Sequence, residues 1–404
     1  MFKKIASNTL AQLVAKFFGA GLTLLTTYYT IRLAGINLYG DLTKVLVLVA
    51  VGFTAIDFGL NAEGIRSSSQ DSLMRKTLVH IIYARLFLSV LVAILLNLII
   101  LSLPGGYSGE VKSAFWIGSL AIIFQGIYSS SNAWFQYSLS YWRSTVSVAL
   151  GSIVGTALTF YFLRHSPTLI NLVIANTFGY LVIATTSYLL LPAQKWGAPS
   201  KSQISALFRR SLILGSILIA SVLAGKIDTI ILGVFRSSAE VGQYGFAYRI
   251  FDVILVFPVF VMNAIYPISL KIGTTSEGQN LLKKASYTML ATGLIGSILL
   301  WVSAPMITLI KPGMELSIQV LRTLSLSLPL FYLTSPLMWT LITQKRDKHV
   351  LWIYIFAAAV STGLNLFCVP RYGAIAAAII TGVTELLILI SLLFVIFSLP
   401  KRQS

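Results

Sequence analysis

Four cations, Lys16, Arg85, Lys226 and Arg249, sit inside otherwise apolar sequence. A cation at the centre of a membrane helix costs about 2.5–3.5 kcal/mol, so four facing lipid would cost roughly 10–14 kcal/mol. That rivals the whole stability of an ordinary domain, about 5–15 kcal/mol. Such side chains therefore face water, pair with acids or snorkel to an interface. Lys16 and Lys226 lie well away from the ends of their apolar runs, which points to a watered cavity; Arg85 and Arg249 are closer to an end and able to snorkel. In a cavity, the chemistry on offer is charge-assisted binding of an anion such as phosphate.

The acids in or beside apolar runs are Asp57, Glu63, Asp228, Asp252 and Glu385. Arg249 and Asp252 are three residues apart and share a helix face, the spacing of a local ion pair. Lys226 and Asp228 are two apart and point in different directions. Asp57, Asp228 and Asp252 are candidates for holding a coupling ion, a proton or sodium. Glu63 fits the cytoplasmic interface beside Arg66, and Glu385 has no partner legible in the sequence.

The rest of the chain sets where these residues can be. Of its 404 residues, 56% are hydrophobic and 10% charged, with a mean hydropathy of +0.85. A soluble domain carries about 25% charged residues, so this is an all-α integral membrane protein. Apolar runs of membrane-spanning length recur throughout, whereas the roughly ten-residue alternation of a membrane β-barrel does not. About twelve spans are expected, near 7–33, 41–63, 78–102, 113–139, 144–163, 169–191, 207–235, 241–270, 285–310, 317–343, 349–368 and 373–398. The longest connection, Pro192 to Ala206, divides them into two six-helix lobes, 1–200 and 201–404. Lys3 and Lys4 before the first run resemble a signal peptide, but Lys16 interrupts the run and no A-x-A site follows, so a retained first helix is expected.

Charge tests this map. With the N-terminus inside, eighteen of the thirty lysines and arginines fall on cytoplasmic segments, at most eight on the other side and four within the spans. That bias expects both termini in the cytoplasm, and it makes the net charge of +18 a report of topology rather than of nucleic-acid binding.

Several chemistries are excluded. The single cysteine, Cys368, forms no intrachain disulfide, and His80, His165 and His349 are too far apart in sequence to read as a metal set, so no metal or other cofactor is expected beyond the coupling ion. Outer-loop acids such as Glu110, Glu240 and Glu315 are scattered, and no long outer loop or Walker-type phosphate loop is present, which argues against an enzyme. No filter-like repeat suggests a channel. A transporter built from two related halves remains. Leu38-Tyr39-Gly40 followed by Lys44 is echoed by Gln243-Tyr244-Gly245 followed by Arg249, a hint of internal duplication.

Particular residues then carry a resemblance. These are the opening stretch from Ser7 to Asp41 with Leu33-Ala34-Gly35; Asp57-Phe58-Gly59-Leu60-Asn61 followed by Arg66; Lys226 to Arg249 with Asp228, Gly233 and Val241-Gly242-Gln243-Tyr244; Pro258 and Tyr266-Pro267; and Leu364-Asn365-Leu366, Val369-Pro370 and Tyr372-Gly373-Ala374. Taken in order, this set resembles the oligosaccharide flippases (Wzx-type, polysaccharide biosynthesis protein family) of the multidrug/oligosaccharidyl-lipid/polysaccharide exporter superfamily. The resemblance implies two six-helix lobes around a central cavity. It also implies translocation of an undecaprenyl-diphosphate-linked oligosaccharide, such as an O-antigen or other surface polysaccharide repeat unit, across the bacterial or archaeal cytoplasmic membrane by ion-coupled alternating access. Lys16, Arg85, Lys226 and Arg249 would then bind the diphosphate, with Asp57, Asp228 and Asp252 coupling to H+ or Na+. Tyr28, Tyr29, Trp134 and Tyr137 are candidates for stacking sugars or anchoring at the interface. Expected partners are the lipid-linked oligosaccharide, membrane lipids, and a polysaccharide polymerase or other glycan-assembly proteins. Two other readings stand beside it: a multidrug cation antiporter of the same superfamily, and a non-transporting scaffold for glycan-assembly enzymes.

Overall fold

The computed structural model describes residues 18–66, 71–192, 198–272, 276–344 and 346–398, and every regular element among them is helical. A segment inside a bilayer must satisfy its own backbone N–H and C=O groups, and a helix does so without a partner. The described part of α1 covers 18–29 and continues as a π-helical turn, Thr30–Ala34. There follow α2 (Ile36–Asp57), α3 (Leu60–Arg66), α4 (Asp71–Ser102), α5 (Gly109–Tyr137), α6 (Tyr141–His165), α7 (Leu169–Leu189) and α8 (Lys201–Phe235). The chain ends with α9 (Ser238–Ile272), α10 (Ser276–Ser303), a 3-10 turn (Ala304–Leu309), α11 (Glu315–Thr343) and α12 (Asp347–Ser398).

Among the described residues nine helices are long and apolar enough to cross a membrane. Of the twelve spans expected from sequence, 7–33 lies partly outside the described residues, and 241–270 falls on α9, many of whose side chains are also outside them. The spans 349–368 and 373–398 are both in α12. A straight helix of 52 residues would be about 78 Å long at 1.5 Å per residue, far beyond a bilayer core of about 30 Å. Instead Gly373 breaks α12 with φ 64° and ψ −145°, and Arg346 Nη1 donates to the Val395 carbonyl at 3.0 Å. The two limbs therefore run back alongside each other. Large apolar side chains are exposed along the helices, among them Phe87, Leu98, Leu299 and Val302, all more than half exposed. Lipid, not water, suits such a surface, and the protein is a multi-pass membrane protein.

The chain packs as two compact units, Met1–Ile219 and Ala220–Ser404, and α8 runs from one into the other. It starts at Lys201, within the connection read from sequence as the link between lobes; residues 193–197 of that connection lie outside the described residues.

In the first unit, the sequence suggests one span over 41–63, but α2 ends at Asp57 and α3 begins at Leu60. Phe58 adopts the left-handed conformation (φ 45°) and Gly59 follows with φ 67°. The bend is packed: the Phe58 ring lies against Gly215, and Gly59 lets Leu214 approach, so a Cβ at either position would collide. Around it, Leu60, Met74, Leu78, Phe135 and Leu207 form a buried apolar core.

In the second unit, the α8–α9 turn is tied to the α12 break. Arg236 Nε donates to Glu240 Oε2 at 2.8 Å, and Glu240 Oε1 accepts from the Ala374 N–H at 2.7 Å. A carboxylate thus caps the start of the second limb of α12, where an unsatisfied N–H and the helix dipole favour an anion.

Candidate functional site

The second unit gathers three of the residues singled out by sequence. Lys226 on α8 reaches across to Asp252 on α9, with Nζ 3.0 and 3.3 Å from the two carboxylate oxygens. Its ammonium lies 4.1 Å from the centroid of the Tyr248 ring, and the Tyr248 hydroxyl donates to the Gly225 carbonyl at 2.9 Å. Tyr248 thus grips the α8 backbone one residue before the lysine while its ring face stabilises the cation. The Lys226 side chain is 23% exposed and that of Asp252 39%. The pair is built but not sealed.

The local pairing suggested by sequence had Asp252 serving Arg249, its helix neighbour. The structure sets Asp252 against Lys226, 26 residues earlier, because α8 and α9 are joined by a tight turn and fold back on one another. Arg249 is half-buried on the same helix, one turn from Asp252.

Asp228, two residues past Lys226, is only 2% exposed. Its Oδ2 accepts from the Tyr244 hydroxyl at 2.5 Å and from Thr381 Oγ1 at 3.0 Å. Its Oδ1 accepts from the Thr229 N–H and hydroxyl. Four donors from α8, α9 and the second limb of α12 converge on one carboxyl group. Sequence reasoning marked Asp228 but not Tyr244 or Thr381 as its partners, since nothing in their spacing reveals a contact made through packing.

Next to this cluster the second unit holds a cavity of about 270 Å³. Leu255, Pro258, Phe331 and Ile388 supply apolar walls, while Thr381, Thr384 and Glu385 present polar groups. Glu385 is 6% exposed and accepts from the Thr334 hydroxyl on α11, so the partner that the sequence left invisible is a threonine 51 residues earlier.

In the first unit Arg85 is wholly buried on α4 and its guanidinium is spent on the end of α2. Nε donates to the Ile56 carbonyl at 3.1 Å, and Nη2 to the Asp57 carbonyl at 3.2 Å and Asp57 Oδ1 at 3.4 Å. Nη1 reaches Asn61 Oδ1 at 2.8 Å and Ser130 Oγ at 3.4 Å. The Ile56 and Asp57 carbonyls are among those that the last turn of a helix leaves without intrahelical donors, placed beside the Phe58 bend. Asp57 itself keeps a side chain 47% exposed. Lys44, the cation of the first tyrosine-glycine echo, is also buried, held by Asp41 Oδ1 at 2.8 Å and the Gly106 carbonyl at 2.7 Å. Glu63 lies 3.9 Å from Arg210. Of the aromatic candidates, Tyr28 and Tyr29 stack edge-on and Trp134 lies under the Arg75 guanidinium at 5.2 Å, with Tyr137 beside it. Lys16 lies outside the described residues.

No group of three or more His, Cys, Asp or Glu among the described residues is arranged to hold a metal ion.

Comparison with known proteins gives the fold a context. The model of a family described as polysaccharide biosynthesis protein matches residues 5–272, well over half of the chain. No curated protein matches the sequence. Among solved structures, the chain is similar to the lipid II flippase MurJ in an inward closed conformation, with a TM-score of 0.78 and 15% identity over 98% of this chain and 88% of that one. It is similar to an inward-facing multidrug resistance transporter of the MATE family, MOP superfamily, with a TM-score of 0.73 and 13% identity over 96% and 97% of the two chains. A MOP superfamily transporter from Pyrococcus furiosus matches with a TM-score of 0.62 and 12% identity over 96% and 94%. Identities this low speak for the fold alone. It is a fold shared with a lipid II flippase and with multidrug transporters.

Proposed function

The chain belongs to the polysaccharide biosynthesis protein family, and we propose that it is a flippase for an undecaprenyl-diphosphate-linked oligosaccharide, an O-antigen or other surface polysaccharide repeat unit. It moves this cargo from the cytoplasmic to the outer leaflet of a bacterial or archaeal cytoplasmic membrane by alternating access. Both termini are cytoplasmic. The observation that carries the reading is Lys226: a cation deep in an apolar helix, held by Asp252 and Tyr248 yet still partly exposed.

A lysine locked away with its acid would be structural. This one has a counter-ion that an incoming phosphate can replace, since a diphosphate offers the same charge-assisted contact with more acceptor oxygens. Phosphate binding then frees Asp252, which couples cargo to a proton or sodium ion. Arg249, a turn away, is the second phosphate contact; Lys16, which the sequence suggests as another, lies outside the described residues. Asp228 is the more buried coupling acid, and Asp57 the corresponding acid of the first unit. Arg85 holds Asp57 and the α2 end in place rather than meeting cargo. A polysaccharide polymerase and other glycan-assembly proteins are the expected partners on the outer side.

The test is to replace Lys226 with alanine and with arginine and to follow exposure of the lipid-linked oligosaccharide at the outer leaflet of cells. A charge-assisted hydrogen bond is worth about 1.5–3 kcal/mol, so K226A should slow exposure by about ten- to a hundredfold at equal protein level, and K226R should restore much of it. Unchanged exposure in K226A removes Lys226 from the mechanism.

A second reading, a multidrug cation antiporter, is favoured by one observation, the two acids buried among the described residues, Asp228 and Glu385. Uptake of a lipophilic cation into vesicles by the wild type, lost in D228N, would establish it.

A further inference from the structure

Glu385 is not used by the flipping scheme, and its surroundings are unusual for a carboxyl group. It is 6% exposed, and among the described residues no lysine or arginine lies within ion-pair distance of it. Among the described residues its one hydrogen-bond donor is the neutral Thr334 hydroxyl. A buried carboxylate without a cation carries a penalty that a single neutral donor does not offset. It is normally relieved by pairing or by taking up a proton.

A second observation is independent of Glu385. Thr384, the preceding residue, is 3% exposed, lines the same cavity, and its Oγ1 has no hydrogen-bond partner among the described residues. Many helical threonines in this chain bond back to the carbonyl four residues earlier, as Thr362 does to Ala358 at 2.7 Å. Thr384 does not. Thr384 thus brings a polar group without a partner among the described residues to the wall of the cavity, whose volume of about 270 Å³ gives room for several waters at about 30 Å³ each.

We propose that this cavity is a proton-exchange site, in which Glu385 takes a proton delivered through water beside Thr384 and passes its state to Asp228 through Thr381. In the uptake step a hydronium ion gives its proton to a Glu385 carboxylate oxygen, an O–H bond forms there, and neutral water is left behind; release is the reverse. Thr381 suits the link because the residue lines the cavity and its hydroxyl bonds Asp228. The titratable groups around the site are Tyr354 from the first limb of α12, which lines the cavity, Asp228 on α8, and Tyr248 on α9. Glu385 is the one acid among the described residues lining the cavity, which speaks for a proton over a divalent metal ion, since such an ion takes several carboxylate or carbonyl oxygens. This rests on the ion-coupled reading for its purpose, and names the ion as a proton; the protonation itself is a property of the protein without cargo.

The experiment is pH-difference infrared spectroscopy on the protein reconstituted in lipid, with no cargo present. The wild type should show a carboxylic acid C=O band that comes and goes with pH and shifts in D2O. E385Q should lose it, E385D should move it, and T384V, of nearly the same shape, should shift its midpoint; D228N should keep it. The proposal is overturned if no such band titrates in the wild type, if E385Q keeps it, or if sodium at constant pH removes it. A band that behaves as expected in a protein that flips nothing would support the proton site and sink the flippase reading.

Discussion

Arg85 and Lys226 carry the same charge in the same kind of helix, and their surroundings give them different work. Every donor position of Arg85 faces the protein's own oxygens, so its removal takes a donor from the Ile56 and Asp57 carbonyls and from Asn61 Oδ1. Leaving a buried acceptor without its donor costs about 1–3 kcal/mol, and R85M should show it as a drop in the thermal unfolding midpoint of the purified protein. Lys226 is different because Asp252 competes with cargo for it. D252N should therefore bind undecaprenyl diphosphate more tightly than the wild type, while K226A binds it more weakly; equal affinity in the wild type and D252N would argue against exchange of counter-ions. That these cations are special was legible from composition alone, since charge in apolar sequence is rare. Which acid serves which cation was not. Spacing along one helix suggests Arg249 for Asp252, whereas the Lys226–Asp252 and Asp228–Thr381 contacts join residues on different helices.

At the scale of the element, hydropathy reveals a helix because apolar runs are local, but it passes over breaks that cost no hydrophobicity. The α12 break could be seen, since Pro370 and Gly373 interrupt the run. The break after α2 could not, because Phe58 is itself the left-handed residue and remains apolar. Gly373 shows what such a position demands. Its φ of 64° with ψ −145° alone would cost another residue about 1–3 kcal/mol, and a Cβ there would run into Glu240 and Arg236. G373A should therefore destabilise the protein by more than the φ term, read as a lower unfolding midpoint. E240Q, which leaves the turn but weakens the cap on Ala374, should lose less, about 1 kcal/mol.

For the whole molecule, the fold followed from sequence through its composition and an ordered set of short motifs, and the family match over residues 5–272 agrees with it. Sidedness rests on the cation bias. In a C368S background, a cysteine replacing Ser140 should react with an impermeant maleimide only from the cytoplasmic side, and one replacing Glu110 only from outside, since α5 separates them. Labelling with the opposite sidedness would invert the map and with it the direction of transport. The central claim is cargo. The most direct measurement places the purified protein in vesicles with an undecaprenyl-diphosphate-linked oligosaccharide in the inner leaflet and follows its arrival outside with a lectin. The wild type should accelerate arrival, K226A should fall by about ten- to a hundredfold, and a lipid lacking the diphosphate should not move. Arrival no faster than in protein-free vesicles, or equal movement of the lipid without diphosphate, would contradict it.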